Sequence, residues 1–218
     1  VTVAEHPFQF VTASYLTRVG NQKTLTLTDL RRGLEECTEA SIFYHTFQSL
    51  GRHHFLTEGF SNDFAQWVLA GLNRPQLAEQ LASLDIRDYI AVSDLRRDLQ
   101  QTVASYCDAN PQEAQQAAFE AFFFCEAIEV SVPLGIEVRT LEEFRRGLAM
   151  LSHASFHFHF ISSRLRLHLH TNDFSLWLAD NLGLEALAKQ INRIDIYTNT
   201  IEGAQEKMLA LIDKELAS

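Results

Sequence analysis

The chain has 218 residues, 46% of them hydrophobic, and a net charge of −10 from 28 acidic and 18 basic side chains. That balance argues against a nucleic-acid backbone or an anionic membrane surface as partner, because both are held by clustered Lys and Arg. No run approaches the ~18 uninterrupted apolar residues of a bilayer-spanning helix, and no basic segment followed by an apolar stretch opens the sequence. A cytoplasmic protein is therefore expected. Cys37, Cys107 and Cys125 are odd in number and lack CxxC spacing, so they read as reduced thiols.

In chain order, Phe8-Gln9-Phe10 reads as a short extended segment, with Gly20 as a breaker after it. Thr28 is expected to cap a helix over Asp29–Cys37 that puts Leu30 and Leu34 on one face. A second helix is predicted from Glu39 to Arg52, burying Phe43, Phe47 and Leu50. Ser61 or Asn62 should cap a third, Asp63–Leu72, and Pro75 opens a fourth that runs to Leu84. Ser93 and Asp94 should begin a fifth, carrying Leu95, Leu99 and Val103 on one side. Asn110-Pro111-Gln112-Glu113 reads as a linker. Phe122–Val132 is rich in aromatic and β-branched residues and stops at Pro133-Leu134-Gly135, so it forms a second extended candidate, suited to pairing with the first. Helices are then predicted over 140–150, 154–167, 173–182, 184–193 and 200–216. The run from Phe156 to His170 also alternates with period two, a strand signature, but the matching stretch 40–52 follows the helical period, and helix is predicted for both.

The match between these stretches comes from internal similarity. Residues 10–54 align on 124–168 at an offset of 114, and residues 62–86 align on 172–196 at an offset of 110. The identities include Arg31-Arg32-Gly33-Leu34 with Arg145-Arg146-Gly147-Leu148, His45 with His159, and Asn62-Asp63-Phe64 with Asn172-Asp173-Phe174. The expected fold is mainly α: a tandem duplication of a helical repeat of about 95–100 residues with short extended segments, pseudo-two-fold related, the halves being 1–109 and 110–218. Gly33 and Gly147, inside predicted helices, suggest close helix–helix approach.

Ser41-Ile42-Phe43-Tyr44-His45-Thr46, His53-His54-Phe55 and Asn62-Asp63-Phe64-Ala65-x-Trp67 together resemble the signature of an uncharacterised bacterial family, domain of unknown function five-seven-five-two. Phe8-x-Phe10-x-x-Ala13 and Leu-Ala-x-x-Leu at 77–81 fit it as well. The resemblance implies a bacterial protein with a tandem helical fold and brings no activity with it.

The polar residues shared by both halves supply the functional lead. Positions seven apart lie on nearly one helix face. His45, Ser49 and Arg52, and likewise His159, Ser163 and Arg166, would each form a stripe, with His54 and His168 beyond. Facing stripes would line a cleft at the interface of the repeats, suited to a small anionic or polyol metabolite or a protein partner, since Arg offers a fixed fork of donors. The plain alternative is a solvated helix face, or His and Arg paired with Asp63, Asp173 or helix ends. A His-dependent metalloenzyme is the second functional reading. His153 and His157, four apart, carry the ligand spacing, but no HExxH or Glu-x-x-His pair accompanies them. No cofactor and no catalytic residue is assigned. The chain reads as a binding or regulatory module.

Overall fold

The computed structural model describes residues 2–49, 60, 62–168 and 170–217. Helices share it with two 17-residue strands, β1 (Phe8–Thr24) and β2 (Phe122–Val138), which pair antiparallel in a two-stranded sheet. The fold is thus mixed, and the expectation of a mainly α tandem of helical repeats with short extended segments is corrected by these strands. The two breakers that shortened them on paper do not break them. Gly20 is needed for strand pairing, since a Cβ there would stand 2.5 Å from the Phe124 carbonyl oxygen. Pro133 is tolerated because either strand of a two-stranded sheet is an edge, where a missing N–H costs little.

The chain forms two compact units. Unit 2 is Tyr15–Ile128, and unit 1 joins Val1–Ser14 to Glu129–Ser218. Each unit therefore holds a stretch of both strands, a partition distinct from the halves 1–109 and 110–218.

In unit 2 the helices are α1 (Leu27–Glu36), α2 (Glu39–Phe43), α3 (Asp63–Leu72), α4 (Pro75–Ala82) and α5 (Val92–Ala109). A wider π-helical turn, Tyr44–Gln48, continues α2. Thr26, not Thr28, caps α1: its hydroxyl accepts the Asp29 N–H at 3.1 Å while the Asp29 carboxylate reaches back to the Thr26 N–H. Asn62 caps α3 as expected, accepting the Ala65 N–H at 2.9 Å. α5 begins at Val92 behind Ala91, so Ser93 lies inside its first turn. Asp85 shapes the turn after α4 by accepting the Arg87 N–H at 2.8 Å. The core gathers Leu30, Leu34, Phe47, Phe64 and Leu99 around Phe122 and Phe124 of β2. Gly33 makes room for that strand, not for a helix: a Cβ on it would lie 2.1 Å from Phe124 Cε2. The Trp67 indole N–H donates to the Glu120 carbonyl at 2.8 Å.

Unit 1 has α6 (Leu141–Ala149), α7 (His153–His157), a π-helical turn Phe158–Ser162, and then α8 (Ser163–Leu167), α9 (Asp173–Leu182), α10 (Glu185–Asn192) and α11 (Ile201–Leu216). The stretch from His153 to Leu167 is thus helical, despite its alternating pattern. Phe8 and Phe10 of β1 enter a core with Phe144, Phe174 and Trp177. Gly147 admits Phe10, whose Cε2 would stand 2.3 Å from an added Cβ. Among the described residues no helix is long and apolar enough to cross a membrane.

Candidate functional site

In unit 2 the π turn carries His45 into the core, where it is only 3% exposed. Its Nε2 accepts the backbone N–H of Cys125 on β2 at 2.9 Å. A backbone amide can only donate, so Nε2 is unprotonated and the ring proton sits on Nδ1, which donates to Asp63 Oδ2 at 2.8 Å. Phe64 and Phe122 close on the ring, with centroids 5.2 and 4.7 Å away. One imidazole thus ties strand β2 to the first turn of α3. The same arrangement occurs in unit 1. His159, 2% exposed, accepts the Val11 N–H at 2.9 Å and contacts Asp173 Oδ2 at 2.7 Å. Both nitrogens of each ring are spent inside the protein, which leaves neither imidazole a lone pair for a ligand or metal.

The other residues of the predicted stripes turn to backbone. Ser49 Oγ donates to the Thr46 carbonyl at 2.6 Å. Ser163 Oγ donates to the His159 carbonyl at 2.6 Å and accepts the Asp173 N–H at 3.3 Å. His168 is exposed and closes α8 in the left-handed conformation, at φ 51°. Arg52 and His54 lie outside the described residues, as does the Arg166 side chain. Of the metal candidates, His153 is half-buried and His157 is buried with its Nδ1 3.2 Å from Ser162 Oγ. Among the described residues no group of three or more His, Cys, Asp or Glu is placed to hold a metal ion.

The sequence reading missed a cleft within unit 2. It measures about 350 Å³ and lies where β1, β2 and the α1–α2 junction meet, at the small end of ligand-pocket volumes. Arg18, Asn21 and Gln22 come from β1, Glu126 and Phe124 from β2, and Glu36, Cys37, Thr38 and Ser41 from the junction. The Thr38 hydroxyl, which caps α2 by accepting the Ser41 N–H, donates to Glu126 Oε1 at 2.6 Å. Arg18 Nε donates to Glu126 Oε2 at 2.7 Å, and Arg18 Nη2 pairs with the same oxygen. The Thr38 hydroxyl and the Arg18 guanidinium together hold Glu126 below the usual carboxylate range. Burial pushes the Cys37 thiol up to about 11, so at neutral pH it is protonated and no nucleophile. Its Sγ faces the Leu34 carbonyl at 3.8 Å.

Ser41 stands at the base of this cleft. It is 1% exposed, and its hydroxyl has no hydrogen-bond partner among the described residues. Ser155, in the same first-turn position of α7, is satisfied: its Oγ lies 3.0 Å from the hydroxyl of its capping residue, Ser152. In unit 2 the capping Thr38 turns to Glu126 instead, and the Ser41 hydroxyl has only the weak Cys37 thiol beside it.

The model of a family of unknown function, DUF5752, matches residues 5–213. The chain belongs to the DUF5752 family. The structure of OrfY from Thermoproteus tenax superposes with a TM-score of 0.85, covering 100% of this chain and 99% of that one at 28% identity. Among curated proteins nothing matches the sequence. In this DUF5752 chain, several residues that carried the resemblance (His45, Asn62, Asp63, Phe64 and Trp67) build the strand-to-helix tie and its aromatic surround. The cleft takes Ser41 from the same signature and draws otherwise on Arg18, Thr38 and Glu126. A lone Glu inside the aromatic run 122–128, and a lone Arg in β1, were the signals by which sequence alone could have found it.

Proposed function

We propose that this chain is a binding module acting in the cytoplasm, without nucleic acid or membrane as partner, and that it holds a small metabolite in the unit 2 cleft. The observation that carries the reading is the unsatisfied Ser41 hydroxyl at the base of that cleft. Leaving a buried hydroxyl unpaired costs about 1–3 kcal/mol, and a ligand that completes the hydrogen bond recovers it. Catalysis has less behind it: burial keeps the Cys37 thiol of the cleft protonated, and the half-buried Glu126 carboxylate already accepts from Thr38 and Arg18.

A thermal-shift screen of the purified chain against a library of small metabolites tests the reading. At least one compound should raise the Tm of the wild type and leave Ser41→Val unmoved. Stabilisation should follow mass action, about 2.7 kcal/mol at a hundredfold excess over Kd. If no compound stabilises the protein, or if Ser41→Val responds as the wild type does, the cleft is not a binding site.

A further inference from the structure

Resting on that binding reading, we infer that the ligand is an uncharged polyol, a sugar-sized molecule whose hydroxyl pairs with Ser41.

Charge rules out the commonest alternative. Among the described residues that line it, the cleft carries one guanidinium, Arg18, against two carboxylates, Glu36 and Glu126. The guanidinium is already matched by Glu126 through Nε and Nη2. A phosphate or carboxylate would meet in the lining a guanidinium already paired and would stand beside the exposed Glu36, while Arg96, whose charge bears on Cys37, is not among the lining residues. An amine fares little better. The charge of Glu126 is already matched by Arg18, and an exposed pair with Glu36 is worth little. A metal ion lacks a ligand set, since no group of three candidate donors occurs among the described residues.

What remains is chemistry that donates and accepts at each contact. The Ser41 hydroxyl does both, and so do the amides of Asn21 and Gln22 on the β1 wall. A polyol presents the same mixed set, and its C–H surface suits the apolar Val19 and Phe124 that complete the lining. The contrast between the units points the same way. Unit 1 closes its first-turn serine on Ser152, whereas unit 2 diverts the capping hydroxyl to Glu126 and leaves a vacant hydrogen bond in a cleft.

Isothermal titration of the full chain with myo-inositol, D-mannitol and D-glucose, and in parallel with inorganic phosphate, citrate and putrescine, tests the assignment. At least one neutral polyol should bind saturably, and more tightly than any charged probe. Ser41→Ala should weaken it at least tenfold. Because Ser41→Ala removes an unpaired group, it should fold as well as the wild type, which circular dichroism checks. Tighter binding of phosphate, citrate or putrescine would overturn the polyol assignment while leaving the cleft a binding site. Binding of a polyol that Ser41→Ala leaves unchanged would overturn it too, as would silence from all three polyols. The metabolite screen decides separately whether the cleft binds anything.

Discussion

Replacing His45 by Leu tests the strand-to-helix tie most directly. Leucine fills most of the imidazole's space, so the change isolates the polar terms. The Cys125 N–H loses its Nε2 acceptor at 2.9 Å, in a site closed by Phe64 and Phe122. An orphaned buried amide costs about 1–3 kcal/mol. Asp63 loses its Nδ1–H donor as well, but its side chain is 17% exposed and water replaces part of that bond, which adds about 1 kcal/mol at most. The sum is about 1–4 kcal/mol. At about 2–4 °C per kcal/mol for a chain of this length, the Tm should fall by about 2–16 °C. Urea denaturation supplies the free energy, and amide hydrogen exchange by NMR supplies the site, since the Cys125 amide should lose protection. In a double-mutant cycle with Asp63→Asn the two changes should couple. A His45→Leu protein within about 0.5 kcal/mol of wild type, or one whose Cys125 amide exchanges as slowly as before, would refute the reasoning.

Other outcomes follow from the same contacts. Gly33→Ala and Gly147→Ala place a Cβ 2.1 and 2.3 Å from Phe124 and Phe10, and each should destabilise its unit by about 1–3 kcal/mol in urea titrations despite alanine's better helix propensity. Without ligand, Ser41→Ala should hold or raise the urea midpoint, whereas Ser155→Ala, which breaks a made hydrogen bond, should lower stability by about 1 kcal/mol. Burial opposes ionisation of Asp29, but the Leu25 and Thr26 amides and the Thr26 hydroxyl outweigh it; this carboxyl and that of Glu126 both sit below their ordinary values in the fold. Their contribution is therefore complete above the unfolded carboxylate range, about pH 4, and is lost as pH falls through the depressed folded values. The urea midpoint measured against pH should drop below about pH 4, less steeply in Asp29→Asn.

Helix ends were the most legible part of the sequence. Asn62-Asp63 and Asn172-Asp173, each ahead of an apolar run, placed α3 and α9 correctly, because a capping side chain acts on amides two or three residues away. The extended segments were recognised, but not their length. A strand of a two-stranded sheet lacks the strict alternation of a half-buried one, and its glycine and proline read as stops. The His and Ser members of the predicted stripes turn into the protein for a local reason. Counting seven residues assumes an unbroken α-helix, and π turns at Tyr44–Gln48 and Phe158–Ser162 break that count just where it was applied. The pairing of His45 and His159 with Asp63 and Asp173 was the plain alternative, and it is what the structure contains. The cleft left only faint signals, a lone Glu and a lone Arg, because its three segments meet only through tertiary contacts.

The two units differ in when they can be finished. Unit 2 is one unbroken stretch, Tyr15–Ile128. It can close while the ribosome is still adding α6 to α11. Unit 1 needs Phe8 and Phe10, made before unit 2, against Phe144, Phe174 and Trp177, made more than a hundred residues later. Its part of β1 must wait, unpacked, while the whole of unit 2 is made. Synthesis order therefore gives the cleft-bearing part a head start and leaves the other exposed longest to misassembly.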